Sequence, residues 1–567
     1  MCGILLALHD AHSIPDWDTL KLANTKRGPD FQKSHEVQLI GTRQSCLSFF
    51  GCVLHLRGRD LKPQPIVGEN GDVFCWNGEV FDGINVAQEE NDTEVVYNLL
   101  QKNKGDNKEE GVLQTISKIE GPFSFVYWQN TEGKLWFSRD ILGRRSMLWH
   151  RPVEDELFVL SSVGVSSSKL NFEEVPASGV YCLDIKTLMN SEKLLIAEFE
   201  HSLKHYSWKS STVNGEINQL LTSSYCDMNR SIPAPEDLLP PASNEKDSNF
   251  PSLSHPMEMA IENFEEILGD SVCRRVTTVP NPGDPMSPRI AILFSGGLDC
   301  MCLAILAHRY LPPTEPIDLL NVAFENPRTM KNKKKIESDP YAVPDRKTAR
   351  QGIEELKREA PREWRLVEIN IPYEEAMEKR REIMSLMAPS STVMDLSIAM
   401  AFWFAARGKG SVYCPSTNSM IGYQSNARVL LSGLGADEQL GGYSRHREAF
   451  RLGGWERLVN EIKLDYDRIS ERNLGRDDRI ISDHGKEVRF PYLGARVTSF
   501  LCALPVNLKA DPRYPRGVGE KLLLRLLAQK LGLELTSREW KRAVQFGART
   551  ARMTDSGERG THTIEGE

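Results

Sequence analysis

A glycine-rich loop followed by an aspartate is the first feature of this sequence that could do chemistry. Apolar residues 290–294 run into Ser295-Gly296-Gly297-Leu298-Asp299, and apolar positions continue at three-to-four spacing as far as Ala307. The pattern predicts a buried strand, a tight loop and a helix N-terminus. Such a junction aims backbone N–H groups and the helix dipole at one point, which suits a phosphate or pyrophosphate. Asp299 is then a candidate Mg²⁺ ligand, and the alternative is a plain turn whose Ser and Asp cap the helix.

A second loop of the same type lies further along the chain. The apolar run 429–431 ends in Ser432-Gly433-Leu434-Gly435-Ala436-Asp437-Glu438, and between the two loops the mostly apolar residues 319–324 predict a further buried strand. Strands that alternate with helices predict a doubly wound parallel sheet. Ligands of such sheets bind at the carboxyl ends of the strands, where both loops lie. Asp299 and Asp437 are therefore predicted to share Mg²⁺ and pyrophosphate.

The start of the chain offers a nucleophile. Met1 precedes Cys2, a residue small enough for an initiator methionine to be removed before it. Removal leaves a thiol and an α-amine on one residue, and the amine, with a pKa of about 8, can act as general base for the thiol. The alternative is an unprocessed start that leads into an edge strand.

Four further motifs follow in the first hundred residues. They are Arg27-Gly28-Pro29-Asp30, Leu54-His55-Leu56-Arg57, Asn77-Gly78-Glu79 and Asp92-Thr93-Glu94. Arg57 can bind a carboxylate with two hydrogen bonds, and Asn77 with the Gly78 N–H can stabilise an oxyanion. Asp92 can pair with an ammonium group or simply cap a helix, and Asn-Gly is also the commonest hairpin signal.

Size and composition narrow the class of protein. A chain of 567 residues needs two or more domains. The net charge of −8 without a basic face argues against nucleic-acid binding. The 11 cysteines show no zinc-binding or disulfide pattern, and no apolar run approaches the ~18 residues of a membrane span. We expect a cytoplasmic protein without nucleic-acid or membrane partners, and a homodimer is a further expectation.

The order of these motifs resembles the asparagine synthetase family. Residues 2–185, through Cys2-Gly3-Ile4, RGPD, LHLR, NGE, DTE and the segments 121–125 and 139–144, resemble its class II glutamine amidotransferase domain. Residues 258–550, through SGGLD, SGxGADExxGGY and the segments 489–493 and 515–521, resemble its synthetase domain. The similarity therefore covers both halves of the chain.

The resemblance implies a two-domain chain of mixed α+β and α/β class. Residues 2–185 would form an N-terminal-nucleophile αββα sandwich, and residues 258–550 a doubly wound parallel-sheet ATP pyrophosphatase domain. Between them, residues 186–257 are Pro- and Ser-rich and predict a linker or insertion. The polar residues 551–567 predict a disordered tail.

The resemblance also implies residue roles in glutamine hydrolysis. Cys2 would attack the side-chain amide of glutamine, with Asn77 and Gly78 as the oxyanion hole. Arg57 would bind the α-carboxylate, and Glu79 with Asp92 would hold the α-amino group, while Asn77 also contacts the substrate. Glutamate and ammonia would be the products.

For the second domain the resemblance implies ATP, Mg²⁺ and aspartate, which would form β-aspartyl-AMP for ammonia to attack. The residues expected at ATP and pyrophosphate are Phe294, Ser295, Gly296, Gly297, Asp299, Val322, Ser432, Gly433 and Lys521. Asp299 and Asp437 would bind the metal. The expected overall activity is glutamine-dependent asparagine synthesis.

Val163, Cys300 and Leu434 depart from the family pattern, and Leu434 bears most directly on the chemistry. Leu434 stands where asparagine synthetases carry a Glu that is needed to form the acyl-adenylate. Leucine cannot act as a base or accept a hydrogen bond. Two alternatives to asparagine synthesis therefore stay open: a nucleotide-binding pseudo-enzyme without adenylation, and a ligase for another carboxylate.

Overall fold

The protein is described by a computed structural model that covers residues 2–10, 14–42, 44–102, 108–152, 157–166, 169–191, 193–208, 211–213, 216–218, 221, 225–238, 250–281, 283–327, 339–540, 542–551, 553 and 561–564. The chain divides into two units. The first comprises Met1–Ser223, Glu382–Ser391 and Ser470–Glu487, and the second comprises Ser224–Arg381, Thr392–Ile469 and Val488–Glu567. The first unit thus takes two short segments from the second half of the sequence.

The strands within the described residues are β1 (Gly3–Asp10), β2 (Phe31–Leu39), β3 (Ser45–Val53), β4 (Ile66–Val67), β5 (Val73–Gly78), β6 (Phe123–Gln129), β7 (Lys134–Arg139), β8 (Leu148–His150), β9 (Phe158–Ser161), β10 (Glu173–Glu174), β11 (Gly179–Asp184), β12 (Leu203–Ser207), β13 (Ser211–Val213), β14 (Glu216–Asn218), β15 (Ile290–Leu293), β16 (Ile317–Phe324), β17 (Trp364–Ile371), β18 (Lys409–Cys414), β19 (Ser419–Gln424), β20 (Val429–Leu431) and β21 (Glu487–Arg489).

The α-helices of the same residues are α1 (Trp17–Arg27), α2 (Asp92–Lys102), α3 (Lys108–Ser117), α4 (Ile185–Leu188), α5 (Ile196–Ser202), α6 (His255–Thr277), α7 (Leu298–Tyr310), α8 (Pro344–Glu359), α9 (Tyr373–Met387), α10 (Val393–Arg407), α11 (Ala436–Gln439), α12 (Ser444–Asp467), α13 (Ile469–Arg472), α14 (Leu474–Ser482), α15 (Ala495–Ala503), α16 (Val506–Lys509), α17 (Leu522–Lys530) and α18 (Val544–Gly547). Short 3-10 turns lie at Pro235–Asp237, Pro491–Leu493 and Thr536–Arg538.

The first unit is built on two six-stranded sheets. Their strand orders are β10-β8-β9-β1-β3-β2 and β12-β11-β7-β6-β5-β4. Alternate side chains of a strand point to opposite faces, and the inward set of both sheets shares one core, which includes Leu6, Phe49, Cys75 and Phe137. The central strands are therefore buried on both faces.

Helices cover the outer faces of the two sheets. Leu20 of α1 packs in a cluster with the outward side chains of β1 and β3. Val96 of α2 and Leu113 of α3 pack against aromatic side chains of β5 and β6, including Trp76 and Phe125. The layers are helix, sheet, sheet and helix, which confirms the predicted αββα sandwich.

The second unit contains a seven-stranded sheet of order β19-β18-β17-β16-β15-β20-β21. Strand β15 pairs in parallel with β16 and β20, and β16 pairs in parallel with β17. Strands β15 and β20 are wholly apolar and β16 is buried along its whole length, as expected where helices cover both faces of a sheet. The antiparallel β18–β19 hairpin completes one edge. The predicted parallel α/β sheet is confirmed.

The predicted boundaries at 185, 257 and 550 stay a prediction, because much of 186–257 and 551–567 lies outside the described residues. Within the described part of 186–207, α5 and β12 belong to the first unit. In the ranges that the structure covers, no helix combines the length and the apolar character that a membrane span needs.

A fully buried arginine, Arg479, ties both late segments into the first unit. Arg479 of α14 is fully buried, and its Nη1 lies 2.7 Å from the Glu174 carboxylate. The same guanidinium donates to the backbone oxygens of Leu386 and Met387, at 3.0 and 3.1 Å. Both late segments, 382–391 and 470–487, are thereby joined to Glu174.

We predict that Arg479→Met destabilises the first unit by about 1.5–3 kcal/mol, because Glu174 keeps only Arg139 as a partner and two backbone oxygens lose their charged donor. Urea denaturation followed by tryptophan fluorescence measures the change. Arg151→Met is the matched control, since the Arg151–Glu173 pair lies at the surface and should contribute less than about 1 kcal/mol. An Arg479→Met protein that unfolds at the wild-type urea concentration would contradict the account.

Candidate functional site

Cys2 and Asn77 meet where β1 of one sheet begins and β5 of the other sheet ends. Cys2 directly precedes β1, and its backbone N donates to Asn77 Oδ1 at 3.1 Å. Asn77 lies near the end of β5 and is completely buried, yet its Nδ2 has no hydrogen-bond partner. A buried donor without an acceptor is costly unless a ligand supplies one. The Asn77 amide is therefore suited to receive a ligand oxygen beside the Cys2 thiol.

Gly78 continues the site because only glycine fits at that point of β5. A Cβ on Gly78 would lie 2.7 Å from the carbonyl oxygen of Pro122 and 2.7 Å from the Cβ of Phe123. The backbone of Gly78 is thus held against the start of β6. The sequence motifs predict Asn77 and Gly78 beside Cys2, and the structure places Cys2 and Asn77 in contact.

Burial dominates the electrostatics of the Cys2 thiol. Removal from water raises the pKa of the Cys2 thiol, and a backbone hydrogen bond at Leu54 opposes this shift. The carboxylates of Asp92 and Glu487 add to the increase in the pKa. A base or a hydrogen-bond donor close to the sulfur is therefore needed to make a thiolate at neutral pH.

One guanidinium and two carboxylates lie side by side next to these residues. Arg57 donates to the backbone oxygen of Val80, and its Nη1 is 3.6 Å from Glu79 Oε2. Asp92 Oδ2 accepts the Val80 N–H at 2.9 Å. Burial raises the pKa of Asp92, and the charge of Arg57 opposes that shift. The cluster offers partners for both charges of an α-amino acid.

A buried arginine, Arg27, contacts the backbone of Cys2. Arg27, at the end of α1, has its Nε 3.4 Å from the Cys2 backbone oxygen. Its Nη2 bonds to Asp478 Oδ2 at 2.7 Å and its Nη1 to Ser482 Oγ at 2.5 Å, both on α14. The RGPD motif thus holds the nucleophile through residues far along the chain. Sequence reasoning did not identify Asp478 or Ser482.

A second buried arginine, Arg145, also pairs with Asp478. Arg145 Nη2 lies 2.9 Å from Glu487 Oε2, and its Nη1 lies 3.6 Å from Asp478 Oδ1. All three side chains are buried. No motif links these positions, so no signal in a single sequence could have identified them.

In the second unit, the loop after β15 has the expected form. Gly296 has φ +75°, and a Cβ there would lie 2.4 Å from the backbone of Thr348, so glycine is required. Ser295 Oγ accepts the Gly297 N–H at 3.3 Å, and Thr348 Oγ1 donates to the Ser295 carbonyl at 2.8 Å. Gly297 precedes α7, whose first turn carries Asp299. These contacts hold the loop against α8, and the loop lies at the N-terminus of α7.

The other predicted nucleotide residues lie on neighbouring strands and loops. Phe294 N–H donates to the Leu320 carbonyl at 2.9 Å, and Val322 lies two residues further along β16. Ser432 and Gly433 follow β20, and a Cβ on Gly433 would lie 2.7 Å from the Cβ of Asp299. The two glycine loops are therefore in direct contact.

Lys521 joins the two predicted metal ligands. Its Nζ lies 2.7 Å from both carboxylate oxygens of Asp299 and 2.7 Å from Asp437 Oδ1. Burial alone would lower the pKa of the Lys521 ammonium, but Asp299 and Asp437 outweigh burial and raise it. A single cation-sized group thus bridges the two acids. Two adjacent carboxylates are also the donor set that suits Mg²⁺, so these residues fit the predicted metal.

Leu434 lies in the second loop, where its N–H donates to Ser432 Oγ at 3.3 Å. The nearest acid along the chain after Asp437 is Glu438, and it is already engaged. Glu438 Oε2 accepts the Gly435 N–H at 3.1 Å, and Oε1 accepts the Tyr443 hydroxyl at 2.6 Å. Glu438 is therefore not placed to replace the acid that is missing at position 434.

Comparisons with known proteins agree with this division of sites. A family model described as a glutamine amidotransferase domain matches residues 54–165. A family model described as asparagine synthase matches residues 265–457 and 451–559. The chain therefore carries both kinds of domain.

Three curated relatives extend the similarity over the whole chain. Asparagine synthetase domain-containing protein 1 of Gallus gallus is 39% identical, with 99% of this chain and 99% of that protein covered. The protein of the same name from Homo sapiens is 39% identical, with 98% and 95% covered. The glutamine-hydrolysing asparagine synthetase of Gallus gallus is 23% identical, with 93% and 80% covered.

We predict that Lys521→Met destabilises the second unit by about 3–5 kcal/mol in the absence of divalent cations, because two adjacent carboxylates lose their shared ammonium. Mg²⁺ at millimolar concentration should restore most of the loss. Melting temperatures measured with and without Mg²⁺ test this.

Lys509→Met is the matched control. Lys509 is buried, its Nζ donates to the Leu501 carbonyl at 3.0 Å, and burial lowers its pKa to about 8. Its replacement should leave the effect of Mg²⁺ on the melting temperature at the wild-type value. Equal Mg²⁺ responses in Lys521→Met and in the control would contradict a cation site at Asp299 and Asp437.

Proposed function

Because this chain belongs to the family of asparagine synthetase domain-containing proteins, we propose that it hydrolyses glutamine at Cys2 and adds the ammonia to an aspartate carboxylate that ATP has activated. Glutamine hydrolysis, the first of these two reactions, is supported by the unpaired Nδ2 of buried Asn77 beside Cys2. An oxyanion is the ligand that such a donor fits best.

Before the enzyme can act, Met1 is removed and Cys2 becomes the first residue. The freed α-amine of Cys2 takes the thiol proton, and the sulfur attacks the side-chain amide carbon of glutamine, so that a C–S bond forms. The amide oxygen becomes an oxyanion and accepts hydrogen bonds from Asn77 Nδ2 and the Gly78 N–H. The C–N bond then breaks, ammonia leaves with the proton, and water hydrolyses the thioester to glutamate.

The charged cluster beside Cys2 selects the substrate. Arg57 would bind the α-carboxylate of glutamine, while Glu79 and Asp92 would bind its α-ammonium. Burial of all three makes the selection strict, because an amine or acid that lacks one of the two charges leaves a buried group unpaired. Free glutamine rather than a glutaminyl peptide is the expected donor.

The second unit would activate aspartate. The loop residues Ser295 to Asp299, with Phe294, Val322, Ser432 and Gly433, would hold ATP. The β-carboxylate oxygen attacks the α-phosphorus, pyrophosphate leaves, and β-aspartyl-AMP results. Ammonia then attacks the acyl carbon, and AMP leaves to give asparagine. Mg²⁺ on Asp299 and Asp437 would stabilise the charge of the departing pyrophosphate, with Lys521 as a second cation.

Leu434 favours a second candidate function. An apolar side chain at this position supplies neither a base nor a hydrogen-bond acceptor, and Glu438 is engaged elsewhere. The second unit would then bind a nucleotide without adenylating aspartate, or would activate a different carboxylate. Glutamine hydrolysis at Cys2 is common to asparagine synthesis and to both of these alternatives.

Ammonia release from glutamine tests the first half. We expect no activity in Cys2→Ala and a kcat lowered about 10²–10³-fold in Asn77→Ala, since one oxyanion donor contributes about that much. Asn130→Ala, at an exposed asparagine of the same unit, should keep wild-type kcat. Wild-type ammonia release by Cys2→Ala would exclude Cys2 as the nucleophile.

ATP–pyrophosphate exchange across a panel of carboxylates tests the second half. We expect exchange that requires aspartate and that rises about a hundredfold in Leu434→Glu, in line with the usual contribution of a general base. Leu535→Glu, at an exposed leucine of the same unit, should have no effect.

The other outcomes identify the alternatives. Exchange that is absent from the wild type and created by Leu434→Glu would select the nucleotide-binding protein without adenylation. Exchange that depends only on another carboxylate would select a ligase for that acid. Either result would reject asparagine synthesis.

A further inference from the structure

Gln64 is a buried amide that contacts the Cys2 sulfur and has no part in the chemistry described above. Its Nε2 lies 3.6 Å from Cys2 Sγ. Gln64 is almost fully buried and lies two residues before the start of β4. It belongs to none of the motifs that the sequence brings to notice.

The hydrogen bonds fix which end of the amide faces the sulfur. Gln64 Oε1 accepts the backbone N–H of Trp76 at 2.6 Å. A backbone N–H is only a donor, so the oxygen of the amide must face Trp76 and the NH₂ group must face Cys2. Trp76 precedes Asn77 on β5, so one strand orients both amides around the thiol.

The backbone of Gln64 is held as firmly as its side chain. A Cβ on Gly51 of β3 would lie 2.8 Å from the carbonyl carbon and oxygen of Gln64. Strand β3 therefore approaches Gln64 closely from one sheet, while β5 binds its side chain from the other. The position of Nε2 relative to the sulfur is set by both sheets.

A donor at this place acts on the charged form of the nucleophile. A thiolate accepts hydrogen bonds much more strongly than a thiol, so an N–H aimed at the sulfur favours the thiolate. Burial works in the opposite direction, since it raises the pKa of the Cys2 thiol. The ionisable groups that face the thiol are its own α-amine, Asp92 of α2, Glu487 of β21, Cys52 of β3, Cys75 of β5 and Arg27 of α1.

We propose that Gln64 is a catalytic residue that donates a hydrogen bond from Nε2 to the Cys2 sulfur and stabilises it as the attacking thiolate. The inference rests on the proposed glutamine hydrolysis for its biological meaning. The hydrogen bond itself changes the reactivity of Cys2 whether or not glutamine is the substrate.

The test is the rate at which iodoacetamide alkylates Cys2, measured against pH in the full-length protein. Peptide mass spectrometry separates Cys2 from the other ten cysteines and shows whether Met1 has been removed. Two variants lack the donor: Gln64→Glu keeps an acceptor for Trp76, and Gln64→Met introduces no charge. Both should alkylate about tenfold more slowly at pH 7, since a hydrogen bond to a charged group is typically equivalent to about one pH unit or more.

Gln129→Glu is the matched control. Gln129 is a buried glutamine of the same unit, and its Oε1 accepts Trp136 Nε1 at 2.7 Å, a bond that glutamate preserves. Its alkylation profile at Cys2 should match the wild type. If one Gln64 variant loses native circular dichroism, the other carries the comparison. Wild-type profiles in the folded Gln64 variants would overturn the proposal.

Failure of the two proposals gives different results. A wild-type protein that releases no ammonia from glutamine, with a slowed Cys2 in the Gln64 variants, would reject glutamine hydrolysis and keep the role of Gln64. Glutamine hydrolysis by the wild type, with unchanged Cys2 reactivity in both variants, would keep the function and reject Gln64.

Discussion

The buried contact between the Arg27 guanidinium and the Asp478 carboxylate is the interaction on which the first unit depends. Both side chains are almost inaccessible to water, and their distance is 2.7 Å. Loss of one partner of such a pair costs about 3–5 kcal/mol, because the other charge stays buried. The same guanidinium reaches the backbone oxygen of Cys2. The nucleophile is thus held, through Arg27, by a segment that lies about 450 residues beyond that arginine.

The second unit also depends on a buried cation, but here one ammonium pairs with two carboxylates. Asp299 and Asp437 come from two glycine loops in contact, and each has a carboxylate oxygen 2.7 Å from the same nitrogen. Two carboxylates held so close together repel each other unless a cation lies between them. Lys521 supplies that cation. One ammonium leaves a net negative charge on the pair, which is consistent with a further cation such as Mg²⁺. Pyrophosphate chemistry there depends on this balance, whichever carboxylate is activated.

Much of the fold could be predicted because its signals are local. Apolar runs that end in glycine mark β15 and β20, and the helical spacing after Ser295 marks α7. Cys2 and Asn77 were found through short motifs. Gln64, Asp478 and Glu487 were not, because their roles come from contacts between distant segments. Helix α14 carries four adjacent charged residues, which normally indicates exposure, but ion pairs allow its complete burial.

Glutamine hydrolysis at Cys2 requires a covalent bond between its sulfur and the glutamyl group during turnover. Acid quenching of the full-length protein during reaction with glutamine, followed by mass spectrometry of the N-terminal peptide, tests it most directly. We expect a peptide that begins at Cys2 and carries a glutamyl thioester, and that is absent without glutamine. Ammonia release without this adduct, or from a chain that retains Met1, would contradict it.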